Sequence, residues 1–324
     1  MKKLVLVGLT GLLVACGGGS DSVDDSSGGT EPQPDTATFS LGVSDAPVDN
    51  ASEVVVYFDG VELVPGEDAD GDPIEFDVTD DNGDPRMIDL LTLQGQSFET
   101  IVSEEEIPAG TYGQLRLQVT SDSYIVMDQG TFPLQVPSNE LKLDGFEAQA
   151  GVTAAFTVEF DLRKSLVKPG NNFDHIKLKP RGVRLVGNDS VGALEGTVAE
   201  ALILDDSCSN KDDPMLGNVV YLYEGADLAL SVLGDDADEP ADAEEVSPFT
   251  TAEVSFDEEG QSYNYEVGFV PAGDYTVAFT CQAQLDEPES DENAEDGFEF
   301  LTSQTVTITA EETAEANFEA ETSQ

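Results

Sequence analysis

The chain has 324 residues, with 67 Asp and Glu against 13 Lys and Arg, a formal net charge of −54. That balance excludes nucleic-acid binding, which needs basic surface to displace counterions, and docking on anionic lipid through a polybasic patch. Hydrophobic residues still make up 39%, many in alternating Val, Ile, Phe and Tyr runs, so the chain can build a core.

Lys2 and Lys3 precede an apolar run from Leu4 to Ala15. The run is shorter than the ~20 residues that a membrane-spanning helix needs, and the pattern is that of a secretory signal. It closes on Leu13-Val14-Ala15-Cys16-Gly17, which resembles the bacterial lipobox. The resemblance implies cleavage after residue 15, acylation of Cys16 and stable anchoring in a membrane. Gly17 rather than Asp behind the cysteine implies the outer membrane, on its periplasmic or surface face. The competing interpretation is an ordinary signal with an incidental cysteine. Residues 17–37 hold no Lys, Arg or aromatic residue; with Cys16 they form an expected flexible acidic linker over 16–37.

From Thr38 onward, period-two alternation between turn clusters predicts an all-β protein. Expected strands are Thr38–Val43, Glu53–Leu63, Ile74–Val78, Gln114–Thr120, Tyr124–Met127, Thr153–Asp161 and Ile176–Leu185. A second series follows residue 190: Ala193–Val198, Val219–Tyr223, Ala252–Phe256, Ser262–Phe269, Tyr275–Ala283, Ser303–Thr309 and Glu315–Glu319. Met87–Leu93 and Ser103–Ile107 are each expected as one helical turn. Ile107-Pro-Ala-Gly-Thr-Tyr112 is echoed by Val270-Pro-Ala-Gly-Asp-Tyr275, each a corner leading into a strand with a tyrosine ring laid over it. The echo predicts two tandem antiparallel β-sandwich domains, 38–190 and 191–324, of Ig-like or prealbumin-like type.

Ser44-Asp-Ala-Pro47 running into Glu53–Glu62, then Ile88-Asp-Leu-Leu-Thr-Leu-Gln-Gly95, Phe160-Asp-Leu-Arg-Lys-Ser165 and Lys177-Leu-Lys-Pro180, resemble in order the DUF4382 family of bacterial surface proteins. That resemblance covers about residues 38–186 and implies an envelope location with no established activity. Gly192–Val198, Val219–Tyr223 and Tyr263 through Tyr275 resemble the carboxypeptidase-regulatory, prealbumin-like sandwich. That fold is grouped with carbohydrate-binding-like domains, which implies sugar binding by fold analogy alone.

Several constellations could carry function. With Cys16 taken by lipid, Cys208 and Cys281 are an even pair in an oxidising compartment, so a disulfide is expected. Asp68, Asp70 and Asp72 around Gly71, then Asp80, Asn82 and Asp84 around Gly83, have the alternating oxygens of a Ca²⁺ loop. They lack the glutamate of an EF-hand at the twelfth position, and the same residues are those of two polar hairpin turns. Seven cations crowd into residues 163–184, while 191–324 carries 34 acids and a single base, Lys211. Arg163, Lys164, Lys177, Lys179 and Arg181 could bind an anionic glycan or an acidic envelope protein, or simply balance carboxylates on neighbouring strands. His175 has no second histidine to join as a metal ligand. Tyr221 with Tyr223, and Tyr263 with Tyr265, share strand faces; they fit a sandwich core better than a sugar platform.

Catalytic signatures are missing: no GxSxG, P-loop, HExxH or dinucleotide fingerprint occurs. Paired carboxylates for glycoside hydrolysis carry no signal here, since with 67 acids some pair falls in range by chance. The sequence thus points to a non-catalytic binding or display lipoprotein of the outer membrane. A carbohydrate-binding or Ca²⁺-dependent adhesin-like module is the alternative, and a hydrolase with unrecognised carboxylates the weaker one.

Overall fold

Alternating apolar and polar residues build strands almost throughout, because a pleated backbone sends successive side chains to opposite faces. The computed structural model describes residues 35–46, 51–67, 71–169, 173–209, 211, 213–235, 245–286 and 298–320. Its first strands are β1 (Thr36–Ala46), β2 (Ala51–Pro65), β3 (Ile74–Asp77), β4 (Arg86–Asp89), β5 (Glu99–Pro108), β6 (Gly110–Val119) and β7 (Tyr124–Met127). Then come β8 (Gly130–Gln135), β9 (Glu140–Ala148), β10 (Thr153–Asp161), β11 (Leu166–Val167), β12 (Ile176–Leu178) and β13 (Val183–Gly187). The later strands are β14 (Val191–Val198), β15 (Val219–Glu224), β16 (Thr250–Glu253), β17 (Ser255–Asp257), β18 (Ser262–Pro271), β19 (Gly273–Thr280), β20 (Thr302–Ile308) and β21 (Thr313–Glu315). Two single-turn helices, α1 (Leu162–Ser165) and α2 (Glu200–Ile203), interrupt them.

Strands β1–β13 form two sheets. One is four-stranded, β13-β10-β1-β5; the other is nine-stranded, β11-β12-β8-β7-β2-β6-β9 with β3 and β4 also on β2. Strands β14–β21 form two more, β17-β18-β14-β21 and β16-β15-β19-β20. Each half closes over its own apolar core. Phe39, Leu41, Phe58, Leu63 and Phe160 are buried in the first, and Leu194, Val220, Leu222, Val277 and Phe279 in the second. Pro34–Gln324 nevertheless cluster as one compact unit.

Several details differ from the sequence expectation, among them Ala252–Phe256, which is divided between β16 and β17 in two different sheets. The sandwiches are mixed rather than purely antiparallel: β1 runs parallel to β10, β12 to β8 and β14 to β21. Parallel neighbours need a long crossover, and for β1 and β10 the opposite sheet supplies it. Ile176–Leu185 is two strands in two sheets, parted at a turn over Pro180–Gly182 where proline lacks a ladder donor. Ser103–Ile107 belongs to β5 and is no helical turn. Its run of Glu104, Glu105 and Glu106 lies on an edge strand, where charge blocks pairing with other chains. Met87–Leu93 ends β4 and forms a 3₁₀ turn, Leu90–Thr92, capped by Asp89.

Both corner motifs take the chain from one sheet to the other, β5 to β6 and β18 to β19. The Tyr112 hydroxyl donates to the Pro108 carbonyl at 2.9 Å, and Tyr275 repeats this bond to Pro271 at 2.9 Å. A tyrosine so bonded to the backbone a few residues upstream fixes the bend between sheets. Cys208 and Cys281 form a disulfide, which ties the segment before β15 to the end of β19. Tyr112→Phe and Tyr275→Phe should each lower unfolding free energy by about 1 kcal/mol, measured by urea denaturation. Burial pushes Tyr275 from 10.0 up to about 12. The folded state therefore keeps a proton that the unfolded state releases, and wild-type stability should fall across that interval as pH rises. Tyr275→Phe should lack this component of the fall.

Candidate functional site

The basic segment begins where β10 ends. The Asp161 carboxylate caps α1 by accepting the Lys164 amide at 3.3 Å, and this turn throws Arg163 and Lys164 out of the first sandwich toward the second. Arg163, only 8% exposed, donates to the Ala283 carbonyl at 2.6 Å and to the Tyr221 hydroxyl at 3.3 Å. Its guanidinium also stands 3.7 Å from the Asp286 carboxylate and 5.9 Å from the centre of the Tyr221 ring. Tyr221 in turn donates to Asp286 at 2.5 Å. The disulfide holds the loop that receives Arg163, since Ala283 follows Cys281 directly after Gln282.

Other cations extend the joint. Lys164 donates to the Pro248 carbonyl at 2.7 Å. Arg184 on β13 bonds Glu159 on β10 at 2.5 Å, donates to the Phe249 carbonyl at 3.3 Å and lies 4.2 Å over the Phe249 ring. Burial pushes the Glu159 carboxyl up to about 7 against the opposing pull of Arg184. Further along the same contact, Gln96 donates through its amide and side chain to Glu266, and the Phe98 ring meets Phe269 edge-on at 6.0 Å. The backbones touch at Gly95 and Gly268: Gly95 has φ +66°, and a Cβ on Gly268 would collide with the Gly95 carbonyl. Only glycine permits so close an approach.

The residues nominated from sequence therefore separate. Arg163 and Lys164 are turned onto the second sandwich. Arg181 is exposed and donates to the Lys164 carbonyl at 2.7 Å. Lys177 and Lys179 are half-buried on and just after β12. Lys164, Arg181 and Arg184 line one wall of a cleft of about 410 Å³, with Glu224, Ser247, Pro248 and Phe249 opposite. This cleft is the place where an anion would meet cations. His175 pairs with Asp174 at 2.7 Å.

Asp68 and Asp70 lie outside the described residues, as does Cys16; Asp72 is exposed. Asp80 accepts the Asn82 and Asp84 amides and the Asn82 side chain, which lowers its pKa, and Asp84 closes the turn by accepting the Asp80 amide. Asp80, Asn82 and Asp84 thus form a self-bonded hairpin turn. Among the described residues no three acidic, histidine or cysteine side chains converge on a point that could hold a metal. Tyr221 and Tyr223 are fully buried and Tyr265 nearly so, while Tyr263 packs against exposed Phe256 at 4.9 Å.

Sequence reasoning did not find Tyr221, Asp286 or Glu159 as partners of the basic segment. Period-two alternation assigns a residue to a face, and it does not say which faces another sheet will cover. The clustering of cations beside Asp161 was the available signal.

The fold and joint define an all-β protein of two fused sandwiches. Residues 36–180 match the family model described as "Domain of unknown function (DUF4382)". No curated protein matches the chain in sequence. Among solved structures, the Bacillus anthracis TIE protein is 10% identical, with 87% of this chain covering 34% of that one at a TM-score of 0.19. The minor pilin GBS52 of Streptococcus agalactiae is 11% identical, with 88% and 98% covered at 0.18. The shaft pilin SpaA of Lactobacillus rhamnosus GG is 9% identical, with 89% and 100% covered at 0.20.

Arg163→Ala should destabilise the protein by about 3 kcal/mol, because it removes the cation that faces the buried Asp286 carboxylate. Lys177→Ala, a half-buried change away from the joint, should stay within about 0.5 kcal/mol of wild type. Guanidinium denaturation followed by tyrosine fluorescence measures both.

Proposed function

We propose that the chain is a non-catalytic display protein of the cell envelope, anchored to the outer membrane by lipid on Cys16 and presenting its two sandwiches as one rigid body. The observation that carries this reading is the use of the basic segment. Its least exposed cation, Arg163, grips a carbonyl, a hydroxyl and a carboxylate of the second sandwich, which is work of assembly rather than of substrate handling. A stiff body tethered through Cys16 holds a surface away from the membrane. The acid excess keeps that body solvated and self-repelling.

The lipobox-like run supports the anchor, and the turn of α1 toward the second sandwich supports the rigid body. Among the described residues no helix is long and apolar enough to cross a membrane. Metabolic labelling with an alkyne-tagged palmitate tests the anchor. The wild-type chain should take up label and fractionate with outer membranes, whereas Cys16→Ala should remain unlabelled and be released. An unlabelled wild-type chain that leaves the membrane fraction would contradict the proposal.

A further inference from the structure

A strand at the end of a sheet offers unpaired backbone groups to any other strand, and proteins commonly block such edges with charge. Strands β5, β9, β13, β16, β17 and β21 each end a sheet and carry at least one charged side chain, while β11 is two residues long. β20 also ends a sheet and is seven residues long, yet it reads Thr302-Ser-Gln-Thr-Val-Thr-Ile308 and carries no charge. In a chain with 67 acids, an uncharged edge of this length is left open to pairing.

β20 pairs with β19 alone, antiparallel from Thr302 to Ile308. Alternate amides and carbonyls therefore point away from the sheet, and among the described residues they meet no backbone partner. Gln304 donates to the Asn317 carbonyl, just beyond β21, at 3.0 Å, a bond made by its side chain. The two faces of this edge differ. Val306 and Ile308 are buried in the second core, whereas Thr305 and Thr307 are exposed on the outer face. The Thr305 hydroxyl donates to Asp227 at 3.0 Å, and the Thr307 hydroxyl to Asp274 at 2.6 Å. Both aspartates are exposed, and among the described residues neither forms an ion pair.

We infer that β20 docks an extended segment of a cationic partner protein, taken up as a fifth strand of the four-stranded sheet β16-β15-β19-β20. Backbone bonds along the edge supply affinity, and the alternation of side chains supplies specificity. Side chains of the added strand on the outer face lie in the field of Asp227 and Asp274, which selects lysine or arginine there. Those on the inner face lie beside Val306 and Ile308, which selects apolar β-branched residues. A second copy of this chain is the wrong occupant. Residues 191–324 hold 34 acids and a single base, so two such bodies repel across the edge. Docking at β20 is independent of lipid on Cys16.

Fluorescence anisotropy of a labelled peptide that alternates lysine and valine and matches β20 in length, titrated with the full chain, tests the inference. The peptide should bind. N-methylating its lysine amides or its valine amides should weaken binding about tenfold or more for one set and little for the other, because only one set faces the edge. Thr305→Lys, which puts a blocking charge on the edge, should weaken binding as much. Thr131→Lys, the same change at an exposed residue of the first sandwich, should leave it intact. If Thr305→Lys does not fold, the two methylated peptides on the wild-type chain still decide. The inference is overturned if the parent peptide does not bind at millimolar concentration. It is overturned too if both methylated peptides bind as tightly as the parent, which is attraction by charge alone. Sedimentation showing that the chain dimerises through β20, with the dimer lost in Thr305→Lys, would make the occupant a second copy and equally overturn it.

Discussion

A guanidinium removed from water must be met by acceptors, or the structure that buries it will not persist. Arg163 is the residue on which that requirement falls here. It leaves the first sandwich from a one-turn helix and finds its acceptors, the Ala283 carbonyl, the Tyr221 hydroxyl and the Asp286 carboxylate, in the second. The close contact of Gly95 with Gly268 and the seating of Arg184 on Phe249 follow the same surface, so two cores separated by a short connection behave structurally as one unit.

This constraint changes the meaning of the charge distribution. An acid-rich chain has few cations, and it concentrates seven of them in one segment. Sequence reasoning offered anion binding or simple charge balance for that concentration. The structure uses Arg163 and Arg184 for balance, against Asp286 and Glu159, but across or beside a domain joint rather than on open sheet surface. Arg181 stays exposed at the rim of the cleft. The disulfide serves the same joint, since it restrains the loop that carries Ala283 and Asp286.

Much of the fold was readable because its signals are local. Alternation along Thr153–Asp161 or Val219–Tyr223 needs only the pleat, and the two Pro-Ala-Gly-x-Tyr corners need only a fixed φ, a permissive glycine and a phenol reaching back four residues. Pairing was not readable. The union of β1 with β10 joins residues more than a hundred positions apart, and neither strand's sequence names its neighbour. Ser103–Ile107 misled for a physical reason: this edge strand carries consecutive glutamates that erase the two-residue period. The joint was hidden for a related reason. Tyr221 looks like any core tyrosine until the sheet that covers it is known, and Asp286 sits in a loop without periodicity.

The account rests on the two sandwiches unfolding as one cooperative body, and differential scanning calorimetry of the full chain tests that most directly. A single transition is predicted, with calorimetric and van't Hoff enthalpies equal, because melting either half would part Arg163 from Asp286. Two resolved transitions, one for each core, would contradict the claim that the Arg163 joint makes them one.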